Sequence, residues 1–288
     1  MVKWVLPFYL LTFLPFCASA QLKREMRGAW IQCVNGQFQN MGTKKMQETL
    51  TYQLNELQKD GVNVIIFQVR PECDALYESK IEPWSRFLTG QQGKAPNPYW
   101  DPLQWMIDEC HKRGMELHAW INPVRAKTKV THALAKNHIA IRKPSSCFAY
   151  DDLFILNPGM QENRDYICEV AQDIVSRYDV DGIHMDDYFY PYPVKGQTIP
   201  DDELFHDHSN GLKDQNDWRR YNVNLFIEQF YKAQDNQCQD CSCVEFLLLY
   251  VRHLLPPLIL RTHIRSNAAC TVQAPGPSGS CGRIRPFF

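Results

Sequence analysis

Glycine is scarce in this chain, at 14 of 288 residues, and no glycine-rich phosphate loop follows any of its apolar stretches. That counts against a nucleotide-binding open α/β sheet, whose first strand-to-helix turn needs small residues to approach a pyrophosphate. Charge of one sign is missing too. A formal net charge of −1 argues against a dedicated nucleic-acid binder, which is normally basic, so no nucleic-acid partner is expected. The 11 cysteines do not form a disulfide pattern. Cys33, Cys73, Cys110, Cys147 and Cys168 lie far apart inside apolar segments and read as small buried hydrophobes. After Glu245 there is no acidic residue at all.

The one long apolar run opens the chain. Lys3 supplies a positive start, residues 5–16 are almost wholly apolar, and Ala18-Ser19-Ala20 gives the small-x-small pattern of signal-peptidase sites. With Pro7 and Pro15 inside it, the run is short for a bilayer span, and a retained anchor is the weaker reading. Cys17 follows Pro15-Phe16, without the small residues that lipid attachment needs. Residues 1–20 are therefore expected to be a signal peptide. The mature protein would be exported (secreted, periplasmic or in the cell envelope) with no transmembrane span after cleavage. Its oligomeric state is not readable.

Three times the chain repeats one pattern: amphipathic helix, polar turn, short β-rich strand. Thr43 caps the first expected helix, Met46, Leu50, Leu54 and Leu57 keep helical spacing, and Gly61 ends it before a strand over 62–69. Asp101-Pro102 starts the second as an N-cap with proline at the first helical position. Leu103, Met106, Ile107 and Cys110 are its buried stripe, Gly114 closes it, and 115–121 is the strand. In the third, Ile167, Val170, Ala171, Ile174 and Val175 face inward, and 180–185 is the strand. An earlier strand covers 27–33.

Such alternation implies a parallel sheet with right-handed crossovers. Trp30 and Gln32, Gln68 and Arg70, Trp120 and Asn122, and His184 and Asp186 would share the inward face at the strand ends. A crown of polar groups at that end is the mark of a (β/α)8 TIM barrel. Only the first half of one is expected here. Regular pattern ends near Ala233, after a helix around Trp218, Tyr221, Leu225 and Phe226. Residues 234–288 hold five cysteines, a broken apolar stretch over 244–260 and the Pro/Gly run Ala274-Pro275-Gly276-Pro277-Ser278-Gly279. The expectation is an incomplete barrel domain over 21–233 and an irregular, aberrant Cys-rich tail over 234–288 left by a shifted reading frame. The alternative is a metal-binding module on Cys238-x-x-Cys241-x-Cys243, which His253 and His263 complete poorly.

Asp186 and Asp187 follow a strand and precede an aromatic loop starting at Tyr188. A carboxylate on a barrel strand tip is placed to attack or stabilise a reacting carbon at the barrel mouth. Alternation turns Asp186 inward and Asp187 sideways, and Arg70 is expected to keep Asp186 ionised. Trp84, Trp120 and Tyr188 are the candidate stacking platforms. Gln68, Arg70, Asp74, His118, Asn122 and His184 complete the expected binding set, although His118 and His184 taken singly read as core histidines. Aromatics at 12% suit a sugar cleft and an ordinary core about equally.

Arg27-Gly28-Ala29-Trp30, Phe67-Gln68-Val69-Arg70-Pro71 with Asp74-Ala75-Leu76-Tyr77, Ile81-Glu82-Pro83-Trp84-Ser85 and His118-Ala119-Trp120-Ile121-Asn122-Pro123 carry a resemblance, completed by the segment 181–191. Over residues 24–233 the chain resembles the glycosyl hydrolase-like 10 family of bacterial lipoproteins and secreted proteins. The resemblance implies a (β/α)8 barrel acting on glycans, distantly similar to the α-amylase superfamily. There a strand ending in Gly-x-x-x-Asp carries the nucleophile, and Gly182 to Asp186 has that spacing. Peptidoglycan glycan strands or other polysaccharide are the implied substrate class, hydrolysed at O-glycosyl bonds without cofactor or metal. The family's further strands, with a glycine-rich Ser-Pro-Phe-Gly segment, are absent after 233. Glycosidic hydrolysis normally takes two carboxylates. Asp186 fills one role, whereas Glu72, Asp74 and Glu82 are undistinguished candidates for the other. The chain is thus expected to be an impaired hydrolase.

Two other readings remain. One is a non-catalytic carbohydrate-binding protein. The other is a metal-dependent polysaccharide deacetylase using His184, Asp186, Asp187 and His206-Asp207-His208, whose order lacks a recognisable metal spacing. The basic run Arg125-Ala126-Lys127-Thr128-Lys129 reads as a solvated loop rather than an anionic-glycan site.

Overall fold

The computed structural model describes residues 25–128, 133–186, 189–235 and 245–248. The signal-peptide expectation, Asp187, Tyr188, Lys129 and nearly all of the Cys-rich tail lie outside them.

Strand β1 (Gly28–Ile31) leads to helix α1 (Thr43–Lys59), which buries Met46, Leu50 and Leu54 at intervals of four, one stripe of the helix. Gly42 rather than Thr43 occupies its N-cap, and the Thr43 hydroxyl instead donates to Pro98 O at 2.7 Å. Gly61, with φ +78, makes the left-handed turn into β2 (Val64–Arg70). After the one-turn helix α2 (Arg86–Thr89) comes α3 (Pro102–Lys112). Its start is as the sequence predicts: Asp101 Oδ1 accepts from the Leu103 and Gln104 N–H groups at 3.0 and 3.1 Å, with Pro102 following. Strand β3 (Glu116–Ile121) follows.

An unexpected layer comes next. Strand β4 (Arg125–Lys127) begins it, and short α4 (Ile139–Arg142) leads to β5 (Cys147–Tyr150) and β6 (Leu153–Leu156). These strands form a separate antiparallel sheet in the order β4-β6-β5. The run read as a solvated basic loop is thus partly a strand, because Ala126 at its centre is fully buried. Helix α5 (Gln161–Arg177), strand β7 (Gly182–Met185), and helices α6 (Asp202–His208) and α7 (Gln215–Asp235) complete the regular pattern. Among the described residues no helix is long and apolar enough to cross a membrane.

Strand β8 (Glu245–Leu248) lies within the stretch expected to be irregular, yet it pairs parallel with β7, from Gly182–Glu245 to Met185–Leu248. Without it, the open edge of β7 would leave a row of backbone donors and acceptors unpaired. The main sheet therefore runs β1-β2-β3-β7-β8, every neighbouring pair parallel.

That order settles the choice between α/β architectures. Strands that follow one another in space as they do in sequence, joined by right-handed crossovers, put every helix on one face. A doubly wound sheet instead reverses its order at a switch point. Ile65, Phe67, Val69, Leu117, Ala119, Ile121, Ile183 and Met185 share one core with Leu50, Leu54, Leu103, Met106 and Ile174 of the helices. On the other face Val64, Ile66 and Trp120 make a small separate cluster. This is the inside and outside of (β/α)-barrel sheet. Among the described residues it does not close, and is a partial barrel.

Candidate active site

The candidate site residues gather at the C-terminal ends of β3 and β7. Trp120 and Asn122, at and just beyond the end of β3, reach across to Asp186, one residue beyond β7. The Trp120 indole Nε1–H and the Asn122 Nδ2 (2.9 Å) both donate to Asp186 Oδ1. Strand alternation had put these three on one face, and the structure joins them directly. Asp186 is half-buried.

Behind this pair stands Gln68, fully buried on β2. Its Nε2 donates to Asn122 Oδ1 at 2.7 Å. Its Oε1 accepts from the Cys33 and Val34 backbone N–H groups at 2.9 and 3.3 Å, and from the Cys33 thiol at 3.3 Å. The side chains of Gln68 and Asn122, expected to hold sugar hydroxyls, are thus buried and engaged with protein groups.

Arg70 departs from its expected place. A register shift between Gln68 and Arg70 breaks the alternation, and the guanidinium goes to Glu82 instead of Asp186. Arg70 Nε lies 2.8 Å from Glu82 Oε2 and Nη2 2.7 Å from Oε1. Nη1 donates to the Asn122 and Pro123 carbonyls at 2.8 and 3.0 Å. The Tyr166 hydroxyl of α5 closes the group on Glu82 at 2.8 Å. Both charged side chains are fully buried, so each is held by the other.

The three upstream candidates for an acid are all withdrawn from solvent. Glu82 is bound to Arg70. Glu72 accepts from Arg86 Nε at 3.1 Å and from the Thr128 hydroxyl at 2.7 Å. Asp74 is fully buried, takes hydrogen bonds from Glu72 N–H (3.1 Å) and Gln92 Nε2 (2.9 Å), and has its carboxyl pushed up to about 7. Burial is the main cause, with the Glu72 carboxylate second.

His118 and His184 lie on the inner face of the neighbouring strands β3 and β7, two residues out of register (His118 pairs with Gly182 and His184 with Trp120), both fully buried, with no hydrogen bond to either ring nitrogen of either residue. Burial first, and His118 second, push the His184 imidazole down to about 4, so it is neutral near pH 7. Trp84 lies in the segment between β2 and α2, edge-on to Tyr99 with ring centroids 6.2 Å apart. Asp181, at the other end of β7, ties down Leu117 N–H and His111, each at 2.8 Å, a structural task. On α6, His206 and His208 are exposed, and among the described residues no three His, Cys, Asp or Glu side chains gather as a metal site.

Sequence reasoning placed Trp30 on the inner face but did not single it out. It is 40% exposed and meets Trp120 and His184 edge-on, with centroids 4.7 and 4.3 Å away. It is the accessible ring beside Asp186's partners. The Cys33 and Val34 contacts were also missed. They use backbone N–H groups, which leave no trace in residue identity.

The family model described as Glycosyl hydrolase-like 10 matches residues 25–234. Glycosyl hydrolase YngK of Bacillus subtilis (strain 168) is 40% identical over 222 residues, which cover 75% of this chain and 43% of that protein. Glycosyl hydrolase DigH of Escherichia coli (strain K12) is 36% identical over 234 residues, 74% of this chain and 53% of that one. The chain spans about half the length of the curated relatives it matches. Among solved structures, the α-L-fucosidase isoenzyme 2 from Paenibacillus thiaminolyticus overlaps at a TM-score of 0.49 with 15% identity, covering 78% of this chain and 32% of that chain. That overlap is too loose to add to the topology above. The family model over most of the chain, and two relatives well above 30% identity, agree: the chain belongs to the glycosyl hydrolase-like 10 family.

Proposed function

We propose that this protein binds glycans at the C-terminal ends of its parallel strands, with Asp186 as the nucleophile or base of O-glycosidic hydrolysis. The supporting observation is the hold on Asp186: one oxygen is fixed by Trp120 and Asn122 at a barrel strand end. Trp30 supplies an exposed ring for a sugar face. Bacterial polysaccharide, including peptidoglycan glycan strands, is the substrate class this reading favours.

The acid is the weak side of the site. Glu72, Asp74 and Glu82 are buried and bonded to protein groups, so none serves a leaving oxygen directly. An activated aryl glycoside, such as a 2,4-dinitrophenyl N-acetylhexosaminide, leaves without acid help, whereas a natural linkage needs it. We expect this chain to release dinitrophenolate in an Asp186-dependent way and to turn over natural oligosaccharides little or not at all. Fast natural-linkage cleavage lost in Asp186→Asn would overturn the impairment and keep the nucleophile.

A carbohydrate-binding protein without turnover is the second reading, favoured by the same buried carboxylates. It predicts bound oligosaccharide, weakened in Trp30→Ala, and no dinitrophenolate release. Export with residues 1–20 as a leader belongs to the proposal as well. Amino-terminal sequencing of protein made in a secretion-competent bacterial host should begin at Gln21, and a start at Met1 would contradict it.

A further inference from the structure

The direction of an amide in a structure is normally assigned rather than observed, because its nitrogen and oxygen look alike. Here chemistry fixes it. Backbone N–H groups can only donate, and those of Cys33 and Val34 both point at one end of Gln68. That end must be the carbonyl. The Cys33 thiol adds a third donor, and it stays protonated because burial, and then Asp74 and Glu72, push its pKa well above the usual thiol value. The other end of Gln68 is therefore the NH2 group. It donates to Asn122, whose facing atom must be the carbonyl, so the Asn122 NH2 group faces Asp186.

We propose that Gln68 is a positioning residue for Asp186, acting through Asn122: the amide clamped by Cys33 and Val34 dictates that Asn122 presents N–H, never C=O, to the carboxylate. The sense of every bond in the line is set from the turn just after β1, a strand two places from β3 and three from β7 in the sheet. Gln68 touches no substrate in this scheme. Its full burial and complete use of the carbonyl are what the role needs, since a half-satisfied buried amide would be free to flip. Asp186 gains a donor with a fixed address beside the Trp120 indole N–H. The functional meaning rests on the reading of Asp186 as the reacting carboxylate. The bond polarity does not.

Gln68→Glu is the decisive change. Cys33 and Val34 can still donate to one Glu oxygen, but the other oxygen, once the side chain is ionised, can only accept. Asn122 must then turn its NH2 group to Glu and its carbonyl to Asp186, where only a protonated carboxyl makes a good partner. The Trp120 indole N–H, bonded to Asp186, reports that protonation without any substrate. In protein labelled with 15N-tryptophan, whose indole signals are assignable by single substitutions, the Trp120 resonance is followed against pH. The Asp186-linked midpoint should rise by roughly one pH unit or more in Gln68→Glu. Asn122→Asp, which sets a second carboxylate against Asp186, should raise it by at least as much and serves if Gln68→Glu does not fold. Gln68→Met removes the donor without imposing the flip and should move the midpoint less than Gln68→Glu. An unchanged midpoint in folded Gln68→Glu or Asn122→Asp would overturn the relay. Failure to bind or cleave glycans would leave these shifts intact, and so would count against the function alone.

Discussion

Asp186 and Arg70 each sit at a strand end, and the structure gives them different partners. Asp186 is half-buried and accepts hydrogen bonds from Trp120 and Asn122. Arg70 is fully buried and spends its charge on Glu82. Removing one member of a buried ion pair strands the other, at a cost of about 3–5 kcal/mol. Arg70→Met and Glu82→Gln should each lower the stability measured by urea unfolding by that order, and the double variant Arg70→Met/Glu82→Gln by less than the sum. Additive losses would show that the pair is not the organising contact. The pairing was not legible in the sequence. Strand alternation correctly grouped Trp120, Asn122 and Asp186, but the register shift after Gln68 turns Arg70 elsewhere, and one displaced residue is invisible to a period-two argument.

At the scale of elements, burial without partners has consequences for pH. The His184 imidazole, pushed down to about 4 in the fold, titrates near its ordinary 6.5 when the chain unfolds. A folded value below the unfolded one means the stability is whole above 6.5 and is lost as pH falls toward 4. The loss from this one group is on the order of 3 kcal/mol. Asp74, raised to about 7, acts in the opposite sense, losing stability as pH rises through the same window. It does so equally in wild type and in His184→Leu, so the comparison isolates the histidine. Denaturant melts of the two at pH 7 and 4.5 should show the variant losing less stability on acidification. Parallel curves would contradict the assignment. A tighter constraint holds α6 and α7. A Cβ on Gly159 would lie 2.6 Å from Trp218 Cη2 and 2.9 Å from Leu204 Cδ2, and Trp218 is fully buried. Gly159→Ala should therefore lower stability by roughly 1–3 kcal/mol, visible as a drop in Tm. An unchanged Tm would mean that the α5–α7 packing yields.

For the whole molecule, the helices and parallel strands were legible because each has a local cause. The Asp101-Pro102 start, the Met46, Leu50 and Leu54 stripe and the all-apolar β2 each follow from a few adjacent residues. The antiparallel layer β4-β6-β5 was not, since three- and four-residue strands offer too little periodicity and Arg125 and Lys127 flank the buried Ala126. Nor was β8, whose pairing is chosen by the free edge of β7 rather than by its own pattern. The site was half legible. Residue types marked the strand ends, but only the three-dimensional contacts show that Trp120 and Asn122 meet at Asp186 while Arg70 turns to Glu82.

Asp186 is proposed as the carboxylate that does the chemistry. The most direct test is the rate of dinitrophenolate release from activated aryl N-acetylhexosaminides by this chain and by Asp186→Asn, with matched folding shown by circular dichroism. We predict that the substitution lowers the rate by at least about a hundredfold. An equal rate in the two proteins, or release that instead depends on Glu72 or Asp74, would contradict the account.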